Sequence, residues 1–370
     1  QVRGGAKNTN SYVGMAARLS VPKAARRMEG YLQHYGRFRS QEAMLRDAPR
    51  VEAYRAAFDA LGKRLQGATV LDIGTGSGIL AMLAARAGAK KVYAVEASLE
   101  MARVASRLVR ANDLHSIVEV IPKHVEEVRD DEIPAKSVDF IVSELFAHFL
   151  VGEVGLQPVT AARQRFLSDK GLVMPSTATL KLSPFEDSKL ATQARSRQRF
   201  WQNTDFNGID LSPVLPMAVE QALRETYVGP VDPSVLVVPP GEAPGYELDL
   251  HNSMPPEAWR SIKFEVTFPS RSRDAVVDGV CGWWDAIFHG TTEEPSAAPV
   301  LSTAPDAPPT AWSQCRFLLE RPMTVKQDAK LMASCELKVK HARESYSLSL
   351  DLVNTTTGEG GRIGPLELSD

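Results

Sequence analysis

Two glutamates in the stretch SELFAHFLVGE, residues 143–153, have the residue type and the spacing to act on one ligand. Glu144 ends the apolar run VDFIV, and Glu153 follows nine positions later. Ionised carboxylates form charge-assisted hydrogen bonds, which are stronger than neutral ones. In open α/β sheets the ligand binds beyond the carboxyl ends of the strands, where both side chains would then lie. The pair predicts a site for a cationic group if VDFIVSE is a strand of such a sheet.

The glycine-rich stretch VLDIGTGSGIL indicates a second part of a ligand site. Gly74, Gly76 and Gly78 allow a tight turn from a strand into a helix and let a ligand approach the main chain. The spacing is G-x-G-x-G, whereas a turn that binds pyrophosphate has G-x-G-x-x-G. Asp72 precedes the turn, and an anion there would repel the phosphates of a dinucleotide. The motif favours a zwitterionic ligand that bears a sulfonium, with a purely structural turn as the alternative.

Acidic residues after the next two predicted strands extend this ligand site. Glu96 ends the strand predicted in KVYAVEA, a position from which a carboxylate can accept from both ribose hydroxyls of a nucleotide. In PKHVEEV, Glu126 could accept from an adenine amine, and the N–H of Val125 could reach a ring nitrogen. A surface position for Glu96 and a solvated Glu126 are the alternatives.

Strand-like and helix-like segments must place these side chains. Continuous apolar strands alternate with helices between residues 69 and 144, which predicts an α/β fold with a parallel sheet covered on both faces. After about Pro175 a period of two in hydrophobicity indicates an antiparallel barrel or sandwich. The predicted divisions are a flexible N-terminus (1–20), N-terminal helices over the ligand (21–65), a Rossmann-like domain (66–175) and a β-barrel domain (176–370) with an inserted arm (about 190–240).

The composition disfavours several classes of protein. With 370 residues, a formal charge of −2 and a pI near 6.5, the chain lacks the excess of positive charge that is typical of nucleic-acid-binding proteins. Its three cysteines lie far apart, so we expect neither a disulfide framework nor a metal cluster. No apolar run approaches the roughly 18 residues of a membrane span, and the start lacks the apolar core of a signal peptide. We expect a protein of the cytoplasm, with a nuclear fraction left open.

The motifs resemble those of the protein arginine methyltransferases, and the resemblance covers most of the chain. VLDIGTGSG is similar to that family's S-adenosylmethionine site, SELFAHFLVGE to its double-E loop, and FWQNTDFNGIDLS to its dimerisation arm. The resemblance implies an S-adenosylmethionine-dependent, Rossmann-like methyltransferase domain followed by an antiparallel β-barrel with an inserted helical arm. The pattern ELFxxxLxGE and the WWD at 283–285 look like the seventh branch, type III, which stops at monomethylarginine.

The resemblance also implies roles for single residues. Glu144 and Glu153 would hold the guanidinium of an arginine substrate, and Glu153 would accept its proton. The family's barrel loop commonly reads Thr-His-Trp, but this chain has Ala311 at the middle position, which puts a histidine base in doubt. Arginine-rich proteins or peptides are the expected substrates, S-adenosylhomocysteine is the expected second product, and a homodimer through the arm is the expected assembly. The remaining implied contacts are Tyr35 and Arg50 with the cofactor, and Leu145, Phe146 and Trp312 with the substrate.

Four other interpretations stay open. The first is an arginine methyltransferase that makes dimethylarginine, and the second is a methyltransferase that acts on a small molecule or a nucleic acid. The paired carboxylates disfavour the second, because a neutral base or a hydroxyl has no need of two anions. The third, an NAD-dependent dehydrogenase, is disfavoured by Asp72 and the glycine spacing. The fourth, a non-enzymatic scaffold, is disfavoured by the intact glycine motif and glutamate pair.

Overall fold

The computed structural model of the protein describes five ranges of the chain. Of the predicted features, the N-terminus 1–20, the start of the N-terminal helices up to His34, and Glu153 lie outside these ranges. The described residues are 35–152, 156–252, 258–270, 273–339 and 346–368.

Two helices open the described chain, α1 (Phe38–Arg46) and α2 (Ala48–Leu61). Asp47 lies between them, and its carboxylate accepts the Arg50 N–H at 3.1 Å, which caps the first turn of α2. The proline in that turn costs no hydrogen bond, because the first N–H groups of a helix have no partner within the helix. A single residue thus separates the two helices.

A parallel sheet forms the first layer and has the strand order β3-β2-β1-β4-β5. All of its neighbouring strands run parallel. Three helices connect these strands: α3 (Ile79–Arg86), α4 (Leu99–Ala111) and α5 (Gln157–Phe166). The strands are β1 (Thr69–Ile73), β2 (Lys91–Val95), β3 (Val118–Ile121), β4 (Val138–Ser143) and β5 (Leu167–Met174).

The predicted α/β fold class with its parallel sheet is confirmed, but β5 was not predicted. The sequence of β5, LSDKGLVM, is polar in its first half, so it lacks the continuous apolar run of the other strands. Pairing with β4 brings its apolar second half into the core, where Leu172, Val173 and Met174 are buried. The tertiary context therefore decides this strand.

Two antiparallel sheets form the second part of the fold and make a barrel-like domain. One has the order β7-β12-β10-β6-β8 with β11 paired to β10, and the other has the order β15-β14-β13-β9. The strands that sequence analysis missed are mostly short or lie at an edge. The ten strands are β6 (Thr177–Phe185), β7 (Tyr227–Gly229), β8 (Gly245–Asp249), β9 (Ser261–Thr267), β10 (Ala275–Ile287), β11 (Val300–Ser302), β12 (Gln314–Val325), β13 (Leu331–Val339), β14 (Tyr346–Asn354) and β15 (Gly360–Leu368).

The insert between β6 and β7 contains two helices, α6 (Ser188–Phe200) and α7 (Leu215–Leu223), which contact each other. They lie in the range in which the arm was predicted. Aromatic side chains gather where α6 ends: the ring of Phe200 packs edge-on against Trp201 and Phe206, at centroid distances of 5.2 and 5.5 Å. The arm therefore has a small apolar cluster of its own.

The loop that follows β4 of the parallel sheet packs against the barrel-like domain. The ring of Phe149 in this loop packs edge-on against Phe317 of β12 at a centroid distance of 5.4 Å. It also covers Gly282 of β10, where an added Cβ would lie 2.4 Å from the Phe149 ring. A side chain at position 282 is therefore incompatible with the observed position of the loop.

A substitution of Gly282 by alanine tests this junction. Because the ring of Phe149 has no space to retreat in a packed core, we expect the free energy of unfolding to fall by about 1–3 kcal/mol. Urea denaturation measures it. Gly241→Ala is the matched control, since a Cβ there meets no atom within 4 Å. Equal stability of the two variants would contradict the tight packing of Phe149 on β10.

Candidate active site

A cavity of about 570 Å³ lies beyond the carboxyl ends of β1, β2 and β4. Residues of α1 and the segment before it form one wall, and the glycine-rich turn after β1 forms another. The loop after β4 and the barrel residues Ala311 and Trp312 close the far end. This is the edge at which an open α/β sheet binds its ligand.

The glycine-rich turn adopts backbone conformations that favour glycine. Gly74, Gly76 and Gly78 have φ angles of 71°, 55° and 84°, all in the left-handed region. Space is also limited at Gly74, where an added Cβ would lie 2.8 Å from Leu145. The turn can hold its shape only with glycines, which keeps its main chain open to the cavity.

Asp72 stabilises this turn from behind. Its Oδ2 accepts from the hydroxyl of Thr75 at 2.5 Å and from the N–H of Ala81, in the first turn of α3, at 3.0 Å. The side chain is buried and does not line the cavity. The predicted contact of Asp72 with a ligand is therefore revised: its carboxylate holds the backbone that forms the site. Burial raises the pKa of Asp72 to about 7, although the bonds from Thr75 and Ala81 oppose that shift.

Glu96 follows β2 and lines the cavity, and each of its carboxylate oxygens accepts one hydrogen bond. Oε2 accepts from the N–H of Gly76 at 2.8 Å, and Oε1 accepts from the N–H of Ser98 at 2.7 Å. Burial raises the pKa of Glu96, and the two backbone bonds act in the opposite direction. Since a carboxylate has about four acceptor positions, each oxygen can still accept one more hydrogen bond. A ligand with two neighbouring hydroxyls fits this carboxylate.

Gln41 ties α1 to the glycine-rich turn, and sequence analysis missed it. Its Nε2 donates to the carbonyl of Tyr35 at 2.8 Å, and its Oε1 accepts from the N–H of Ser77 at 3.1 Å. A single glutamine on a helix has no sequence signal that would single it out. The contact fixes the segment that begins at Tyr35 over the cavity.

A buried ion pair forms the centre of the cavity wall. Arg50 Nη2 lies 2.5 Å from Glu144 Oε2, and both side chains are less than a tenth exposed. Arg50 Nη1 donates to the carbonyl of Met44 at 2.9 Å, while its Nε is buried without a hydrogen-bond partner in the described part of the chain. Burial raises the pKa of Glu144, and the positive charge of Arg50 opposes this shift. The carboxylate of Glu144 thus already binds a guanidinium, that of Arg50.

Asp47 connects the helices over the cavity to the barrel-like domain. One of its oxygens caps α2, and the other accepts from the N–H of Ala311 at 2.8 Å. The sequence contains a signal for the first contact, an aspartate followed by a proline in the first turn. It contains none for the second, because the partner is a backbone group of a distant loop.

Two tryptophans of the barrel-like domain hold the loop after β4. Nε1 of Trp312 donates to the carbonyl of Phe146 at 2.9 Å, and Nε1 of Trp284 donates to the carbonyl of Ala147 at 3.0 Å. The two indole rings also pack edge-on at a centroid distance of 4.9 Å. Nδ1 of His148 lies 2.5 Å from the carbonyl oxygen of Trp312. The loop is therefore attached to the barrel at consecutive residues.

Most predicted site residues lie in the wall of this one cavity. Three predicted residues are exceptions. Asp72 and Gly78 do not line the cavity, and Glu153 is outside the described ranges. Arg50 and Glu144, predicted to contact different ligands, contact each other. The predicted residues in the wall are Tyr35, Arg50, Gly74, Gly76, Glu96, Val125, Glu126, Glu144, Leu145, Phe146 and Trp312.

The described ranges offer no sign of a metal site, a disulfide or a membrane span. Within them no group of three or more histidine, cysteine, aspartate or glutamate side chains is placed to hold a metal ion. Cys281, Cys315 and Cys335 are buried, and none of them forms a disulfide with another described residue. No helix there has the length and apolar character needed to cross a membrane.

Two family models match the two halves of the chain. Residues 176–355 match the arginine methyltransferase oligomerization subdomain, and residues 55–167 match the ribosomal protein L11 methyltransferase (PrmA) family. The solved protein arginine methyltransferase 10 of Arabidopsis thaliana is 29% identical and superposes with a TM-score of 0.76, over 90% of this chain and 99% of that chain. The chain is therefore similar in sequence and in fold to the protein arginine methyltransferases.

Curated members of this arginine methyltransferase family cover nearly the whole chain. The probable histone-arginine methyltransferase CARM1 of Oryza sativa subsp. indica is 35% identical over 353 residues, which are 95% of this chain. The histone-arginine methyltransferase CARMER of Drosophila ananassae is 33% identical over 322 residues, or 87% of this chain. The chain spans 64% of the length of the rice relative and 58% of that of the fly relative. None of these findings supports the seventh branch in particular.

Replacement of Asp72 by asparagine tests the buried carboxyl behind the glycine-rich turn. Because burial raises the native pKa of Asp72 to about 7, the native state holds the proton more tightly than the unfolded chain. The free energy of unfolding therefore falls as the pH rises from about 4 to about 7. Between pH 5 and pH 8 the wild type should lose about 2–3 kcal/mol more than Asp72→Asn, measured by urea denaturation. Parallel pH profiles of the two proteins would refute the raised pKa.

Proposed function

We propose that this protein transfers a methyl group from S-adenosylmethionine to a guanidino nitrogen of arginine in a protein substrate. The observation that carries the proposal is the ion pair between Glu144 and Arg50 at the wall of the cavity. It shows a buried carboxylate that accommodates a guanidinium, next to a turn suited to a nucleoside. The names of the curated relatives, histone-arginine methyltransferases, support arginine-rich proteins such as histones as substrates.

The residues of the cavity fit S-adenosylmethionine. Glu96 can accept from the two ribose hydroxyls, and the adenine would lie toward Val125 and Glu126. The unpaired, buried Nε of Arg50 would meet the carboxylate of the methionine part. Glycines at 74 and 76 leave the main chain accessible. When bound, S-adenosylmethionine supplies a methyl group on a positively charged sulfur.

A ligand carboxylate beside Nε would compete with Glu144 for the positive charge of Arg50 and weaken their ion pair. An ionised carboxylate that loses its partner in a buried site is destabilised by several kcal/mol. Glu144 would then require another cation, and the guanidinium of a substrate arginine has the same planar fork of donors as Arg50. The exchange favours binding of arginine after the cofactor site is filled.

Catalysis would depend on how Glu144 and Glu153 orient the guanidinium. Its nitrogen lone pairs are delocalised in the cation, so arginine is a poor nucleophile. Carboxylates bonded to some of the nitrogens draw positive charge toward them and leave the remaining nitrogen more able to attack. Alignment in a cavity from which water is excluded supplies much of the acceleration. The role of Glu153 as second carboxylate and as proton acceptor stays a prediction.

The number of methyl groups depends on the walls beside Glu144. Leu145 and Phe146 line the cavity there, together with Trp312 of the barrel-like domain. Exclusion of one additional methyl from an apolar site is worth about 1–3 kcal/mol. Restriction to monomethylarginine remains the prediction from the seventh-branch resemblance. Dimethylarginine is the alternative.

Mass spectrometry of an arginine-rich histone peptide incubated with S-adenosylmethionine tests the function and the number of methyl groups. We expect methylarginine with the wild type and a loss of kcat of about 100-fold or more with Glu144→Gln, because a charged acceptor of the clamp is lost. Glu127→Gln, an exposed neighbour of the cofactor wall that does not line the cavity, is the matched control. Binding of S-adenosylhomocysteine by each variant shows whether the cofactor site is intact.

Two results would contradict parts of this proposal. Methyl transfer to a nucleic acid or a small molecule, with none to arginine, would overturn the substrate and retain the cofactor site. Accumulation of dimethylarginine would overturn the restriction to one methyl and leave the proposed activity unchanged. Location in the cytoplasm is a separate proposal that rests on composition alone.

We also propose that the chain forms a homodimer through the α6–α7 arm. The matched family model is described as an oligomerization subdomain. Apolar side chains of the arm face solvent, with Phe200 48% and Met217 69% exposed. Phe38, Leu45 and Leu99 are exposed on and beside the helices over the cofactor site and offer a counterpart. Such patches are typical of protein interfaces.

A charged substitution in the arm tests the dimer. We expect the wild type to have the mass of a dimer in light scattering and the double variant Phe200→Glu, Met217→Glu to have the mass of a monomer, since burial of two carboxylates is costly. Val300→Glu alters an exposed apolar residue of β11 outside the arm and should leave the mass unchanged. A monomeric wild type at micromolar concentration would exclude this assembly.

A further inference from the structure

His148 has a ring whose two nitrogens have different environments. Nδ1 lies 2.5 Å from the carbonyl oxygen of Trp312. A carbonyl oxygen only accepts hydrogen bonds, so Nδ1 must carry the hydrogen. In a neutral imidazole the other nitrogen, Nε2, then has a lone pair. The contact with Trp312 therefore fixes which nitrogen of His148 can accept a proton.

His148 lines the cavity that contains the proposed reaction site. The side chain is half-buried and lines the same cavity as Glu144, Ala311 and Trp312. The hydrogen bond to Trp312 uses Nδ1, and no described residue bonds Nε2. The preceding loop residues are bonded to Trp312 and Trp284, so the ring has little freedom to turn away.

Two acidic side chains of this wall, Glu144 and Asp47, already have partners. Glu144 binds Arg50 and accepts from the N–H of Phe146, and a clamp that holds a cation must keep its charge. Both oxygens of Asp47 are bonded to backbone N–H groups. Ala311 has only a methyl group. Within the described part of this wall, Nε2 of His148 is therefore the acceptor best placed to take a proton.

Given the proposed arginine methyltransferase activity, on which this inference rests, we propose that Nε2 of His148, in place of Glu153, accepts the proton that the arginine nitrogen releases. A lone pair of that nitrogen forms the new N–CH3 bond while the S–CH3 bond breaks and leaves its electron pair on sulfur. The nitrogen then has one hydrogen too many. This proton moves to Nε2, the ring becomes an imidazolium, and water removes the proton before the next turnover. The product is a methylated guanidinium with a single positive charge.

Kinetics of two matched variants test this role. His148→Asn retains an N–H donor near the Nδ1 position for the carbonyl of Trp312 and lacks an acceptor at the Nε2 position. We expect kcat on an arginine-rich peptide to fall by about 10-fold or more with a smaller change in KM. His115→Asn, an exposed histidine outside the cavity, should match the wild type. In His148→Ala, added imidazole should restore kcat several-fold, which a merely structural role would not produce.

Nuclear magnetic resonance of protein with ¹⁵N-labelled histidine gives a readout that needs no turnover. The signals of His148 are those that disappear in His148→Asn. We expect a protonated Nδ1 and an unprotonated Nε2 in the free protein. Addition of an arginine peptide together with S-adenosylhomocysteine should shift the Nε2 signal, because that nitrogen then accepts from the guanidinium.

The outcomes separate this inference from the proposed function. If the wild type methylates arginine but His148→Asn retains its kcat, or imidazole does not restore His148→Ala, the proton acceptor is another group. A protonated Nε2 in the free protein, or an Nε2 signal unmoved by the peptide, also overturns the assignment. A wild type that transfers no methyl to arginine overturns the proposed function and this inference with it.

Discussion

The buried ion pair between Arg50 and Glu144 is the constraint on which the arrangement of the site depends. Each side chain would be destabilised by several kcal/mol if it were buried alone. Helix α2 must therefore lie where Arg50 reaches the end of β4, and Tyr54 of the same helix donates to the carbonyl of Ser143 there at 2.9 Å. The helices and the sheet edge thus form one wall of the cavity, and a carboxylate shaped for a guanidinium lies in it.

The carboxylates around the cavity have different kinds of partner. At the glycine-rich turn, Asp72 and Glu96 accept from backbone N–H groups. They hold the turn and the segment after β2 in place. Elsewhere around the cavity, Glu144 holds a cation. The same residue type can thus shape a backbone in one place and bind a ligand in another, because its partners differ. Burial raises the pKa of all three groups, so their bonds determine whether each stays ionised.

The barrel-like domain completes the site through backbone contacts. Trp312 and Trp284 donate to carbonyls of the loop after β4, and Asp47 accepts from the N–H of Ala311. Since these bonds join the loop, the barrel and the N-terminal helices, a movement of one part displaces the others. The ring of His148 takes its orientation from the same set of contacts. The residues proposed to bind the substrate and those proposed to bind the cofactor are therefore positioned together.

The sequence by itself determined four of the five parallel strands, the glycine-rich turn and the types of residue in the site. Such features follow from local rules: continuous apolar runs form buried strands, and left-handed turns need glycine. Only the tertiary structure decided that Arg50 pairs with Glu144, that Asp72 lies behind the turn and that His148 meets Trp312. These contacts depend on the direction of side chains and on backbone groups far away in the chain, and residue type and spacing do not encode either in a readable form.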